Sequence, residues 1–428
     1  MTAPGPPHVL IIGGGQAGAQ ACQSLRAFGF GGMITLVGDE AELPYQRPPL
    51  SKAYLKGEMD TGRLSLKPAD WYEENGIALT LGLKAVSIDR TARTVTFEGG
   101  EKLTYDALIL ATGARVRKLP VIGADLLGVH YLRSRADVDA IREAMAGAQK
   151  IVLIGAGYIG LETAAACQSL GRQVTVLEAA DRVLARVTSP EVSAFFEAQH
   201  SARGVSVRKA ATVSEIIGND GVARGVKLAS GETIDADLII VGIGIEPNVE
   251  LAKSARLQCE GGILVGGDAR TSDPRIFAIG DCASRPLELC GRQVRLESVH
   301  NAIEQAKQAG SVLCGRPRPK YECPWFWSDQ FDLKLQIAGL STGYDDVIVK
   351  TGDGNEFTVF YFQGGDLIAV DAVNAPAHYL FTKKALETGA RVRKATIADP
   401  SFDVRMAMKS LRPAVAQSKP LDLKHIDH

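Results

Sequence analysis

One local pattern occurs twice in this chain, and the duplication limits what it can fold into. Val9–Ile12 is a β-branched and aliphatic run leading straight into Gly13-Gly14-Gly15-Gln16-Ala17-Gly18, then a helical stretch through Phe28 and a strand expected at Ile34–Val37. About 140 residues later Lys150–Ile154 leads into Gly155-Ala156-Gly157-Tyr158-Ile159-Gly160, a helical stretch through Leu170 and a strand Val174–Leu177. Strand, G-x-G-x-x-G, helix is the start of a mononucleotide-binding half-fold. The first glycine permits the tight turn, the second lets a diphosphate approach the backbone, and the third lets the helix pack closely on the strand. The helix N-terminus then faces the diphosphate. A single G-x-G-x-x-G also fits a Gly-rich turn with no ligand, but two in this context imply two bound dinucleotides.

The residue closing each second strand bears on which nucleotide is held. Glu178 follows Gly157 by 21 residues, where a carboxylate accepts both ribose hydroxyls and repels a 2′-phosphate. The second unit is therefore expected to prefer NADH over NADPH, with Arg172 and Arg182 the neighbours that could counter this. In the first unit the matching position is Gly38, and Asp39 and Glu40 follow. Asp39 is the expected ribose ligand there.

At 428 residues with 46% apolar composition, the chain is long enough to bury two or three cores. Lysine plus arginine (48) nearly cancels aspartate plus glutamate (49), so no overall field favours nucleic acid or an anionic membrane. Apolar runs such as Leu238–Val241 fall far short of the roughly 18 to 20 residues of a membrane helix. The short lead Thr2–Pro7 has no room for the parts of a secretory signal, and the cytoplasm is the expected location. Seven cysteines, at 22, 167, 259, 282, 290, 314 and 323, show no C-x-x-C or C-x4-C spacing and no clustering with histidine. That pattern gives no disulfide framework, no zinc or iron–sulfur site and no redox-active pair. His425 and His428 have metal-like spacing but are assigned no role, and no metal site is expected. The chemistry is expected to come from a bound organic cofactor.

Val205–Val207, Gly225–Leu228 and Asp237–Val241 read as the remaining strands of the second nucleotide domain. Gly242-Ile243-Gly244-Ile245-Glu246-Pro247-Asn248 breaks that pattern and marks a crossing back to the first, with Gly244 counted among the nucleotide contacts. Beyond Arg316-Pro317-Arg318-Pro319 come alternating strands, at Lys334–Ile337, Phe357–Phe362 and Leu367–Val373. A Gly364-Gly365 turn joins the last two, and a helix is expected from about His378 to Thr388. The expected domains are 1–115 with 250–320, 116–249, and 321–428.

Between and after the fingerprints stand Tyr45-Gln46-Arg47-Pro48-Pro49-Leu50-Ser51-Lys52, Ala111-Thr112-Gly113, Ile276-Phe277-Ala278-Ile279-Gly280-Asp281 and Pro324-Trp325-Phe326-Trp327-Ser328-Asp329-Gln330. Together the series resembles the glutathione-reductase-type flavoproteins over almost the whole chain. Within them it resembles the NADH-dependent ferredoxin reductases of bacterial oxygenase systems, the putidaredoxin reductase type. The resemblance implies an α/β fold of two Rossmann-like dinucleotide-binding domains, for FAD and NADH, plus a small α/β C-terminal domain. It implies electron transfer from NADH through FAD to a two-iron ferredoxin that serves a terminal oxygenase, with nicotinamide and flavin brought to a near-attack distance of about 3 to 3.5 Å.

Residue by residue, it implies that Asp281, beside Gly280, bonds the ribityl or phosphate region of FAD. Lys52 and Glu162 match a lysine and glutamate that meet near flavin N5, the lysine stabilising negative charge and the glutamate holding it. Arg133 and the backbone of Ala17, Ala85 and Val299 match further FAD contacts, and Arg47, Thr112 and Gly113 lie in the quoted motifs. Trp327 is placed beside the isoalloxazine near the acceptor surface, while core packing accounts for Trp325 and a structural role for His300. Arg292, Arg295, Arg316, Arg318 and Lys320 are candidates for a basic rim that steers an acidic ferredoxin. Two other readings stay open: a same-fold reductase for rubredoxin, a quinone, dehydroascorbate radical or oxygen, and a flavoprotein of the apoptosis-inducing-factor kind. Rapid NADH oxidation without a protein partner would favour the first and slow turnover the second.

Overall fold

The computed structural model describes residues 7–287, 289–320 and 322–411; the lead before Pro7 and both His425 and His428 lie outside them. The described residues form two compact units, one within 7–320 and 326–334 and the other within 322–325 and 335–411.

The first unit is built on two parallel five-stranded sheets. One runs in the order Ile276–Ala278, Ala107–Leu110, His8–Ile12, Met33–Val37, Ile77–Thr80. Its strands are near-continuous apolar runs because both faces are covered. Alternation sorts them: Val9 and Ile11 face one core, with the helices Gln16–Ala27 and Val299–Leu313, whereas Leu10 and Ile12 face another. Alanines 17 and 21 of one helix and 302, 306 and 309 of the other join the first core, and side chains this small let two helices approach. The second core is closed by Ile88, Val95 and Phe97 of an antiparallel sheet, Ala85–Asp89, Thr94–Phe97 and Lys102–Thr104.

The other parallel sheet runs Ser206–Arg208, Gln173–Leu177, Lys150–Ile154, Leu238–Val241, Val129–Tyr131. The expected strand Gly225–Leu228 is present within Val222–Leu228, which forms a separate antiparallel sheet with Val213–Asn219 and Thr233–Asp235. Its exposed Arg224 and Lys227 interrupt the apolar residues, and a one-face pattern suits a half-covered antiparallel sheet. Val129–Tyr131 completes the parallel sheet instead. The expected crossing is a two-stranded link in which Ile245–Pro247 pairs antiparallel with Ala114–Val116, so the chain enters and leaves this sheet side by side.

In the second unit an antiparallel sheet runs in the order 335–339, Asp366–Val373, Phe357–Gln363, Asp346–Thr351. Glycines 364 and 365, both at positive φ, make the hairpin turn. The helix Pro376–Thr388 packs Tyr379, Phe381 and Ala385 on Phe360, Val370 and Ala372, and ends at Gly389 in the left-handed region. Among the described residues no helix is long and apolar enough to cross a membrane, and no group of three or more His, Cys, Asp or Glu could hold a metal ion.

Candidate functional site

The two glycine turns share one geometry, and it separates what the protein needs from what a ligand needs. A Cβ on Gly13 would lie 2.1 Å from the Ala111 carbonyl oxygen, and one on Gly18 2.0 Å from that of Gly13. In the second turn the corresponding distances are 2.5 Å from Gly155 to Gly242 O and 2.1 Å from Gly160 to Gly155 O. These outer glycines are required by the fold itself. The middle ones, Gly15 and Gly157, meet nothing within 4 Å. Nothing in the chain forbids a side chain there, so what the bare backbone admits is a ligand. Both residues are helix N-caps with no side-chain cap and no acidic residue in the first turn, leaving N–H groups and the positive end of the helix dipole for an anion. The residues fit two diphosphates.

Glu178 closes the second cradle. Its carboxylate accepts the Ala156 N–H at 2.7 Å and the Ala180 N–H at 2.9 Å, pinning it across the glycine turn. Neither arginine that could counter it is placed to do so. Arg182 spends its guanidinium on Thr188 O, Ala185 O and Ser193 Oγ. Arg172 sits six residues back along the strand, roughly 20 Å from Glu178 at ~3.3 Å per residue. Gly244, at φ 109°, faces the Arg186 guanidinium, 3.3 Å from where its Cβ would stand.

Around the first cradle Asp39 is exposed, and the engaged carboxylate is its neighbour Glu40, which accepts the Tyr45 hydroxyl and pairs with Arg47. Arg47 donates also to Arg133 O at 2.7 Å. Arg133 reaches Asp281 at 3.2 Å, and its buried Nε has no partner among the described residues, an unspent donor in the site. Gly280, at φ 78°, donates its N–H to Gln305 Oε1 and approaches Ala17 closely. Thr112 and Asn248 exchange two hydrogen bonds, of 2.7 and 2.8 Å, that fasten the Ala111-Thr112-Gly113 turn to the crossing segment. Ala85 opens its antiparallel strand, and Val299 opens a helix capped by Ser298.

Lys52 and Glu162 meet at 2.7 Å, the carboxylate almost fully buried and the ammonium mostly so. Lys52 follows the short helical turn Pro48–Ser51, whereas Glu162 lies on the helix that starts at the second glycine turn. Two serines complete the carboxylate's shell: Ser51 Oγ donates to Oε2 and Ser328 Oγ to Oε1, both at 2.6 Å. Trp327 lies in the strand Trp325–Gln330, its ring 6.3 Å from that of Phe326, which meets Tyr158 of the second glycine turn in a tilted contact at 4.9 Å. Trp325 is partly buried against the second unit's core under Lys383, and His300 is buried.

Of the basic candidates, Arg295 is committed to Glu297 and the Asp281 carbonyl, and Arg316 donates to Phe28 O. Burial pushes the Cys22 and Cys167 thiols up to about 12, so neither is a ready nucleophile. Sequence reasoning missed Glu40, Tyr45, Ser51 and Ser328. All four stand in or beside motifs already singled out, but which side chain turns inward is not a local signal.

The pyridine nucleotide-disulphide oxidoreductase family model matches residues 7–306, and the reductase C-terminal model matches residues 325–408. Rhodocoxin reductase of Rhodococcus erythropolis is 46% identical over 401 residues, covering 94% of each chain. A ferredoxin–NAD(P)+ reductase of a Sphingomonas species is 42% identical over 404 residues, covering 94% of this chain and 97% of its own. The solved covalent complex of putidaredoxin reductase with putidaredoxin matches with a TM-score of 0.92 at 40% identity, over 95% of this chain and 99% of that one.

Proposed function

The chain belongs to the pyridine nucleotide-disulphide oxidoreductase family, and from that premise we propose that it is an NADH-dependent ferredoxin reductase with FAD on its first nucleotide unit. Its partner is a two-iron ferredoxin that feeds a bacterial monooxygenase or dioxygenase. The relatives named for ferredoxin-type acceptors support this reading, since the likeness to them runs over both units. The single observation that carries it is the Lys52–Glu162 pair, which joins the segment following the first nucleotide fingerprint to the helix that opens the second.

FAD, when bound, accepts two electrons from NADH and can release them one at a time, as an iron–sulfur acceptor requires. The residues supply the rest. Gly13, Gly15, Ala17 and Gly18 admit and cradle the FAD diphosphate, with Arg133 and Asp281 beside it and Asp39, Arg47, Ala85, Thr112, Gly113, Gly280 and Val299 as further contacts. Gly155, Gly157, Gly160, Glu178 and Gly244 hold NADH, and the Glu178 charge excludes a 2′-phosphate. The Lys52 ammonium stabilises negative charge on the flavin while Glu162 keeps it in place. Trp327 shields the flavin on the acceptor side. The domains are 1–115 with 250–320 for FAD, 116–249 for NADH and 321–428 at the C-terminus, and the protein works in the cytoplasm.

A steady-state assay tests the acceptor. NADH consumption should rise sharply on adding a two-iron ferredoxin and stay slow with oxygen or a quinone alone. Equal rates with and without ferredoxin, or a preference for rubredoxin, would reject the reading.

A further inference from the structure

The Glu162 carboxylate ends a longer buried chain of donors. His200 Nε2 meets Gln330 Oε1 at 2.8 Å, Gln330 Nε2 donates to Ser328 Oγ at 3.1 Å, and Ser328 Oγ donates to Glu162 Oε1 at 2.6 Å. Ser328, Gln330 and His200 are completely buried. The links come from three elements, the consecutive helices Tyr158–Ser169 and Pro190–Ala202 and the distant strand Trp325–Gln330. Positions 328 and 330 share a face of that strand.

Chemistry fixes the direction at each link. An ionised carboxylate only accepts, so the Ser328 proton points at Glu162 and its lone pair takes the Gln330 amide. The Gln330 carbonyl then faces His200, which must carry its proton on Nε2. Burial, aided by nearby Arg203, pushes the His200 pKa down to about 4, and its buried Nδ1 has no partner among the described residues. A neutral imidazole with one N–H satisfies both facts. Every dipole therefore points at the Glu162 charge, a polarised series that strengthens its own links. With Oε1 held by Ser328 and Oε2 shared by Ser51 and Lys52, the carboxylate has no freedom to rotate.

We propose that Ser328, backed by Gln330 and His200, is a positioning residue that locks Glu162 onto Lys52 and so fixes the positive charge beside the flavin. This rests on the reading above that Lys52 lies at the flavin. No proton or electron moves along the relay; it sets geometry.

The test uses the full-length FAD-loaded protein under anaerobic conditions. Ser328→Ala slows flavin bleaching by NADH by about tenfold to a hundredfold, and Ser328→Thr recovers the rate to within about threefold. Lys52→Met is slow, and combining it with Ser328→Ala slows it no further, since Ser328 acts only through that pair. Gln330→Met slows bleaching more mildly and serves where Ser328→Ala fails to hold FAD. Apart from turnover, 15N-histidine NMR shows His200 neutral and protonated on Nε2 from about pH 5.5 to 7.5. Wild-type bleaching in Ser328→Ala or Gln330→Met while Lys52→Met is slow, additive effects in the double variant, or a His200 charged or protonated on Nδ1 in that range each overturn the relay alone. Wild-type bleaching in Lys52→Met overturns the flavin placement and the relay's role with it.

Discussion

At the scale of single residues, charge and burial decide more than identity does. Glu178 is held by two backbone N–H groups, so its negative charge is fixed where a 2′-phosphate would have to sit. Glu178→Gln keeps the size and removes the charge, and the ratio of kcat/KM for NADH over NADPH is expected to fall at least about tenfold. His200 gives a pH signature. Its folded pKa, at about 4, lies below the ordinary histidine value, so the unfolded chain takes up the proton first as pH falls. The stability that neutral burial protects is complete above about pH 6.5 and drains away down to pH 4, by about 3 kcal/mol. Denaturant midpoints measured from pH 7 to 4 should therefore fall more steeply in the wild type than in His200→Gln.

At the scale of elements, the two glycine turns allow a paired prediction. Gly160→Ala drives a Cβ to 2.1 Å from Gly155 O, so the helix must shift, and the variant should lose about 1–3 kcal/mol in denaturant unfolding. Gly157→Ala enters open space; its unfolding should be almost unchanged while KM for NADH rises at least about tenfold. Both turns were legible in the sequence because each combines a buried apolar strand with glycines at fixed spacing. The strands Phe357–Gln363 and Asp366–Val373 were legible for a similar reason, through their apolar runs and the Gly364-Gly365 turn. Gly225–Leu228 was legible as a strand but its sheet was not, since a short run does not say which partner its edge will find. The Lys52–Glu162 meeting came from resemblance alone. Ser328 and His200 could not have been found at all, because tertiary contacts across 166 and 130 residues leave no periodic trace.

At the scale of the whole molecule, the near-zero net charge of −1 leaves any ferredoxin steering to local cations. Reduction of ferredoxin should then slow as ionic strength rises, while bleaching of the flavin by NADH stays nearly constant. The central claim is an ordered passage of electrons from NADH through FAD to ferredoxin, and rapid anaerobic mixing tests it most directly. Mixing the FAD-loaded protein with NADH should bleach the flavin at least about tenfold faster than NADPH does, and adding oxidised two-iron ferredoxin should restore the flavin colour as the ferredoxin is reduced. A flavin that NADH does not bleach, or one that stays bleached in the presence of ferredoxin, would contradict the account.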